Sequence, residues 1–219
     1  MWCVAEIDDE YKEKMEDVLR IYEKDYDKKN PVVCIDERPL VLHSEIREPI
    51  TLKPGGIIKR DSEYKRNGTA NAFCMVEPKA GRHITKITKN RKSWQFARVI
   101  KELVSSYPRV KTIHVVMDNL NTHKENSLVK YFGERKGKKI WARITPHYTP
   151  KHGSWLNQAE IEISMFSRQC LGKNRIADLA SMKKRAHAWT KRMNRNKVKI
   201  KWTFSRRKAR DKFGYGPNH

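Results

Sequence analysis

TIHVVMD, residues 112–118, is a short, β-branched and nearly continuous apolar run that ends on an acid. PVVCID, residues 31–36, repeats the pattern. Short apolar runs rich in Val and Ile read as strands buried on both faces, the kind that make up parallel sheet. A carboxylate at the end of such a strand is unfavourable unless it is paired, solvated or bound to metal. In open α/β sheets the carboxyl ends of strands are also where ligands bind. Asp36 and Asp118 are therefore candidate functional carboxylates, although a turn or cap role would explain either one alone.

Working outward, Asp8 to Asp27 carries Met15, Val18, Leu19 and Tyr22 at helical spacing, with Asp8 or Asp9 as cap. Residues 49–66, rich in Pro, Gly and charge, read as a long loop. ANAFCMVE (70–77) and RHITKIT (82–88) read as strands of a hairpin joined by the four residues PKAG. Ser93 is expected to cap a helix running to Tyr107-Pro108, with Phe96, Val99, Ile100, Leu103 and Val104 on its apolar face. After the strand at 112–118, a short helix is expected over 127–132, a fifth strand over 140–145, and a helix from Ser154 to Leu171. A last helix, about 178–194, carries Leu179, Met182, Ala186, Trp189 and Met193. Three hairpin-joined strands followed by alternating helices and strands predict an α/β fold with one mixed five-stranded sheet flanked by helices.

SWLNQAEIE (154–162) offers a third acid but not a unique one. Glu160 and Glu162 lie about 200° apart on a helix. The apolar stripe Ala159, Ile163, Phe166, Cys170 leaves one on each flank, so periodicity does not choose between them. Whichever is unused is expected to be a solvated surface residue.

The whole chain bounds the chemistry. Its 219 residues carry 48 Lys+Arg against 25 Asp+Glu, a formal charge of +23. Such a chain attracts polyanions by counterion release. Residues 1–30 hold ten acids and six bases, whereas residues 172–219 hold 16 bases and two acids. That asymmetry suggests different jobs for the two ends. A charged face of the basic end is the better candidate for DNA phosphates, and its Trp and Phe residues for core. No run approaches the roughly 18 apolar residues of a membrane span, and the acidic start is wrong for a secretory signal. A soluble, cytoplasmic, nucleoid-associated protein is expected. Cys3, Cys34, Cys74 and Cys170 show no paired spacing and read as structural thiols. No HExxH, GxSxG or P-loop pattern is present.

CIDERP (34–39), VVMDNLNTH (115–123) and HYTPKHGSWLNQAE (147–160) together resemble the three signature blocks of DDE-type transposases. RNGTAN (66–71) and SRQCL (167–171) bring the resemblance closest to the bacterial insertion-sequence branch of the mariner-like superfamily. The resemblance implies an RNase H-like fold. It assigns the third ligand to Glu160 of the LNxxE pattern, 160 − 118 = 42 positions after Asp118. It also implies a site of Asp36, Asp118 and Glu160 that holds Mg²⁺ or Mn²⁺, two ions in all, for cutting and joining transposon ends and target DNA. Hard cations of this kind want carboxylate oxygens. Asn119, Asn121, His123, His147, Lys151 and His152 are expected to touch phosphate or to support the ligands.

The division expected is an acidic helix and linker at 1–29, a catalytic core at 30–171 and a basic helical extension at 172–219. Family members carry helix-turn-helix modules ahead of the core, and none can be drawn here. A separately encoded half is one expectation, with a homodimer forming on DNA. A truncated, idle remnant that only binds DNA is the alternative, and an RNase H-like ribonuclease is a third reading.

Overall fold

The computed structural model describes residues 7–51, 58, 59 and 61–216. Cys3 lies outside these residues, as does part of the loop expected at 49–66. The strands are β1 (Val32–Glu45), β2 (Ile50–Thr51), β3 (Ile58–Lys59), β4 (Tyr64–Glu77), β5 (Arg82–Thr88), β6 (Ile113–Met117) and β7 (Ile144–Tyr148). The helices are α1 (Asp9–Glu23), α2 (Ser93–Ser105), α3 (Glu125–Phe132), α4 (Glu134–Trp141), α5 (Ala159–Phe166), α6 (Leu179–Arg195) and α7 (Arg206–Phe213). Five strands form one mixed sheet in the order β5-β4-β1-β6-β7, and β2 pairs with β3 separately.

β1, β4 and β5 are antiparallel neighbours, and the β4–β5 hairpin turns through Pro78–Gly81 as the sequence predicts. β6 and β7 run parallel to β1. On one face Val33, Ile35, Phe73, Met75, Val115 and Met117 pack against α2 and α3 through Phe96, Ile100, Leu103 and Leu128. On the other, Leu40, Ala72 and Cys74 pack against Ile163 and Phe166 of α5 and Met182, Ala186 and Trp189 of α6. Successive strand residues point to opposite faces, so a sheet with apolar residues on both needs both helical layers. α1 closes a third cluster with Cys34, Val116, Leu156, Ala209 and Tyr215. Cys34, Cys74 and Cys170 are all buried and unpaired.

Several boundaries differ from expectation. β1 does not end at Asp36 but runs nine residues further, because β4 continues to pair with it as far as Tyr64. Part of the expected loop at 49–66 is therefore strand. Residues 140–141 belong to α4 and the fifth strand starts only at Ile144. Ile140 and Trp141 pack against the α2–α3 cluster from a helix, so their apolar character reflects burial and not strand geometry.

The helix expected from Ser154 is a 3₁₀ turn (Ser154–Leu156), then α5, then a π turn (Ser167–Leu171). α2 is flanked by Lys92, which makes no side-chain cap bond, and Ser93 is its first residue. α7 was not anticipated as a separate helix. α1 and α6 match closely, with Asp8 and Asp178 accepting from the backbone N–H of Tyr11 and Ser181 at 2.7 and 2.9 Å.

The helices α1 and α7 meet. Arg210 pairs with Glu16 at 2.8 Å through both guanidinium and carboxylate forks, and Arg206 pairs with Glu23 at 2.8 Å. The acidic start thus neutralises part of the basic end, instead of the two acting apart.

α3 and α4 pack closely at Gly137, where an added Cβ would lie 2.6 Å from the backbone nitrogen of Val129. Gly137→Ala should force the helices apart and destabilise the fold by about 1–3 kcal/mol. Urea unfolding monitored by tryptophan fluorescence measures it, and an unchanged midpoint would refute this packing.

Candidate metal centre

β1 pairs with β6 over Val32–Cys34, opposite His114–Val116. Carried two positions on, that register sets Asp36 level with Asp118. β1 parts from β6 at this point and continues along β4, so the two acids stand where the sheet opens. Asp36 pairs with Cys74 of β4, whose side chain packs with α5. By strand alternation Asp36 therefore faces the helix that carries Glu160.

Burial raises the Asp36 carboxyl to about 7. The backbone N–H of Glu37, at 2.7 Å, opposes the shift, while the negative charges of Glu160 and Asp118 add to it. Both other acids therefore act electrostatically on Asp36. Among the described residues no three acids, histidines or cysteines already stand close enough to hold a metal ion. Like charges without a cation repel one another, and a divalent cation would relieve that repulsion. Three hard carboxylates suit Mg²⁺ or Mn²⁺.

Asp118 is held from behind. The Nδ1 of His123 contacts its Oδ1, and the Nε2 of the same ring meets Oε1 of Glu37 at 2.9 Å. His123 is buried and stacks on Phe96, with ring centroids 4.4 Å apart. Burial disfavours the imidazolium, but the Asp118 and Glu37 carboxylates outweigh it and raise the group to about 9. Glu37 was not singled out from the sequence. Its place two residues before Pro39 carried no pattern that distinguished it from a surface acid.

The other expected residues divide. Asn119, Lys151 and His152 are exposed and line a cleft of about 690 Å³ together with Asp118 and Thr149. Thr149 N donates to Met117 O at 2.9 Å, so the loop after β7 runs beside Asp118. Asn121 is exposed in the loop after β6. His147 does not join the group. It is buried, with Nδ1 on Asp17 of α1 at 2.6 Å and Nε2 on His114 at 2.9 Å, so it braces α1 to the sheet. That contact holds the Asp17 carboxyl down at about 2.

The two glutamates exchange the burial expected of them. Glu160 is exposed, while Glu162 is 0 % exposed and meets Nδ1 of His83 at 2.9 Å. Glu162 is thus no surface residue. The Nε2 of His83 faces the Val198 carbonyl at 2.9 Å, so both ring nitrogens see acceptors. Burial raises the Glu162 carboxyl, against the pull of His83.

The SWLN stretch supplies positioning that the sequence did not reveal. Trp155 donates to the Tyr11 hydroxyl at 3.2 Å and packs edge-on against Phe204. Asn157 is almost fully buried; its amide donates to Ile35 O at 2.9 Å and accepts from Ala159 N at 3.1 Å.

A family profile described as "DDE superfamily endonuclease" matches residues 31–183, from β1 into α6. The chain belongs to that superfamily. Its fold is similar to that of the mariner transposase Mos1 in the paired-end complex with Mn, at 13% identity and a TM-score of 0.54. The match covers 90% of this chain and 61% of that one. The Mos1 strand transfer complex matches at 13% identity and a TM-score of 0.58, over 90% and 60% of the two chains. The Mos1 paired-end complex with Mg matches at 12% identity and a TM-score of 0.52, over 90% and 62%. This chain thus spans about three fifths of those transposases. The likeness shows the RNase H-like fold. No protein of curated function matches the chain.

Two outcomes follow from this geometry. Glu162→Ala leaves His83 buried without its carboxylate and should destabilise folding by about 3–5 kcal/mol, read as a lowered urea midpoint. Asp36 has a folded pKa near 7, above its unfolded value of about 3.9. Its contribution is therefore present below pH about 4 and lost as pH rises through about 7. Metal-free melting temperature should show that decline, and Asp36→Asn should remove it; an identical pH slope in the variant would refute the shift.

Proposed function

We propose that the chain is the catalytic part of a DNA transposase, cutting and joining DNA by phosphodiester chemistry at a divalent-metal centre. The observation that carries this reading is the level placement of Asp36 in β1 and Asp118 directly after the parallel strand β6, with the charge of Glu160 acting on Asp36. Membership of the endonuclease superfamily supports it, as do Mos1 complexes with Mn and Mg on the same fold. Asp36, Asp118 and Glu160 would hold two ions. Bound Mg²⁺ or Mn²⁺ supplies Lewis-acid stabilisation of the charge that develops on the attacking and leaving oxygens of an in-line displacement.

The protein's own groups do the rest. His123, charged at neutral pH, contacts Asp118 and fixes its direction, and Glu37 holds the far side of the ring. Lys151 and His152 line the cleft beside Asp118, where a phosphate would lie. The outer face of α6 exposes Lys183, Lys184, Arg185, Lys191, Arg192 and Arg195 and is the surface for the DNA backbone. The substrate is transposon-end and target DNA, with a homodimer assembled on it. The insertion-sequence branch of the mariner-like group is the closest fit to the motifs. Residues 30–171 form the catalytic core in this reading, residues 1–29 its acidic brace and residues 172–219 its basic extension. Among the described residues no helix is long and apolar enough to cross a membrane, in keeping with action on DNA in a bacterial cytoplasm.

Asp36→Asn, Asp118→Asn and Glu160→Gln should each abolish Mn²⁺-dependent nicking of supercoiled plasmid while leaving DNA binding intact. Wild-type binding without nicking would favour an idle DNA-binding remnant, and cleavage confined to RNA–DNA hybrids would favour a ribonuclease. Affinity should fall by roughly three to five decades between about 50 and 200 mM salt if six to ten phosphates are contacted. A salt-independent affinity in mobility-shift titrations would refute the electrostatic surface.

A further inference from the structure

The loop that delivers Glu160 is fastened from two sides. Asn157, 1 % exposed, donates from Nδ2 to Ile35 O at 2.9 Å, and its Oδ1 accepts from Ala159 N at 3.1 Å. From α1, the Tyr22 hydroxyl donates to Leu156 O at 2.9 Å and accepts from Gln158 N at 3.4 Å. Tyr22 is itself buried against Trp202, with ring centroids 5.6 Å apart.

We propose that Asn157 is the positioning residue that sets the third carboxylate, Glu160, in reach of Asp36. The inference rests on the metal-centre reading above. Asp36 is placed by strand pairing, and Asp118, directly after β6, is held by His123. Glu160 stands on the exposed flank of an eight-residue helix that begins without a side-chain cap from Gln158. The apolar contacts of α5, through Ala159, Ile163 and Phe166, decide which face turns inward. Such contacts are non-directional; the directional bonds are those of Glu162 to His83 of β5, on the inner face, and those of Asn157 at the start of the helix.

The two bonds of Asn157 are directional, and each ends one residue from a carboxylate: Ile35 precedes Asp36, and Ala159 precedes Glu160. They tie the strand and the start of the helix beside both carboxylates. The task calls for a carboxamide, which donates to a carbonyl and accepts from an N–H at the same time. An aspartate keeps the acceptor and lacks the donor. An alanine lacks both.

The test is Mn²⁺ uptake by the full chain, followed from the free-ion signal in electron paramagnetic resonance. Wild type, Asn157→Ala, Asn157→Asp and Asp118→Asn are compared, with circular dichroism melts to establish folding. Wild type should bind Mn²⁺ and Asp118→Asn should lose that binding. Asn157→Ala should remain folded yet bind about 10–100-fold more weakly, the range found when groups supporting a ligand are removed. Its nicking rate should recover toward wild type at saturating Mn²⁺.

A role confined to folding would lower the melting temperature and leave the affinity of the folded chain unchanged. Asn157→Asp keeps the bond to Ala159 N and carries the comparison if the alanine variant does not fold. Affinity within twofold of wild type in the folded variants, with Asp118→Asn defective, overturns the positioning role and leaves the metal centre standing. Mn²⁺ uptake that is absent in wild type, or indifferent to Asp118→Asn, removes the metal centre and this inference with it.

Discussion

The parallel pairing of β1 with β6 is the constraint on which the site depends. Over three residue pairs it fixes the register that brings Asp36 level with Asp118. It then ends, while β1 continues along β4. A sheet that kept both neighbours through Asp36 would bury the acid among apolar residues, where an unpaired charge is unfavourable by several kcal/mol. A sheet that ended there would leave it in water with an ordinary acidity. The parting of the strands holds Asp36 between these limits. Its carboxyl is pushed to about 7 by burial and by the two acids nearby.

Around that pair the protein stiffens what the sheet alone leaves loose. His123 and Glu37 form a buried charge-bearing chain behind Asp118, and Phe96 of α2 fixes the ring plane. Asn157 and Tyr22 hold the loop ahead of α5. Glu162 and His83 anchor the same helix on its inner face. The helix bearing Glu160 is thus tied to β1, α1 and β5 at once, and its Glu160 is exposed. The negative charges of Glu160 and Asp118 act on Asp36, and like charges without a cation repel, so the surrounding bonds hold these elements against that repulsion.

Charge is also distributed with a purpose that the total conceals. Of the basic residues beyond position 172, Arg206 and Arg210 are engaged with Glu23 and Glu16, and Arg175 with Glu45. Exposed Lys183, Lys184, Lys191 and Arg195 lie on the solvent side of α6, whose other side buries Met182, Ala186, Trp189 and Met193 in the core. The same helix therefore completes the fold and carries an exposed basic stripe, so truncating it would confound loss of charge with loss of packing.

Much of this was legible in the residues themselves. The apolar runs at 32–35 and 113–117, the hairpin through Pro78–Gly81 and the 3-4 stripe of α6 all announce elements that the structure contains, because burial of one face imposes a local period. The motif resemblance named the acids. Other features were out of reach of any local pattern. Residues 140–141 are apolar in a helix as they would be in a strand. Asp36 sits mid-strand because residues 64–74 pair across from it. His147 looks like a phosphate ligand until Asp17, 130 positions earlier, takes its ring. Glu162 looks like a solvated acid until His83, 79 positions earlier, closes on it. Sequence determined which segments must be buried and which residue types can bind metal. Tertiary structure decided which side chains meet, because a hydrogen bond is directional over about 3 Å and its partner is chosen by strand register and helix docking, not by neighbours in the chain.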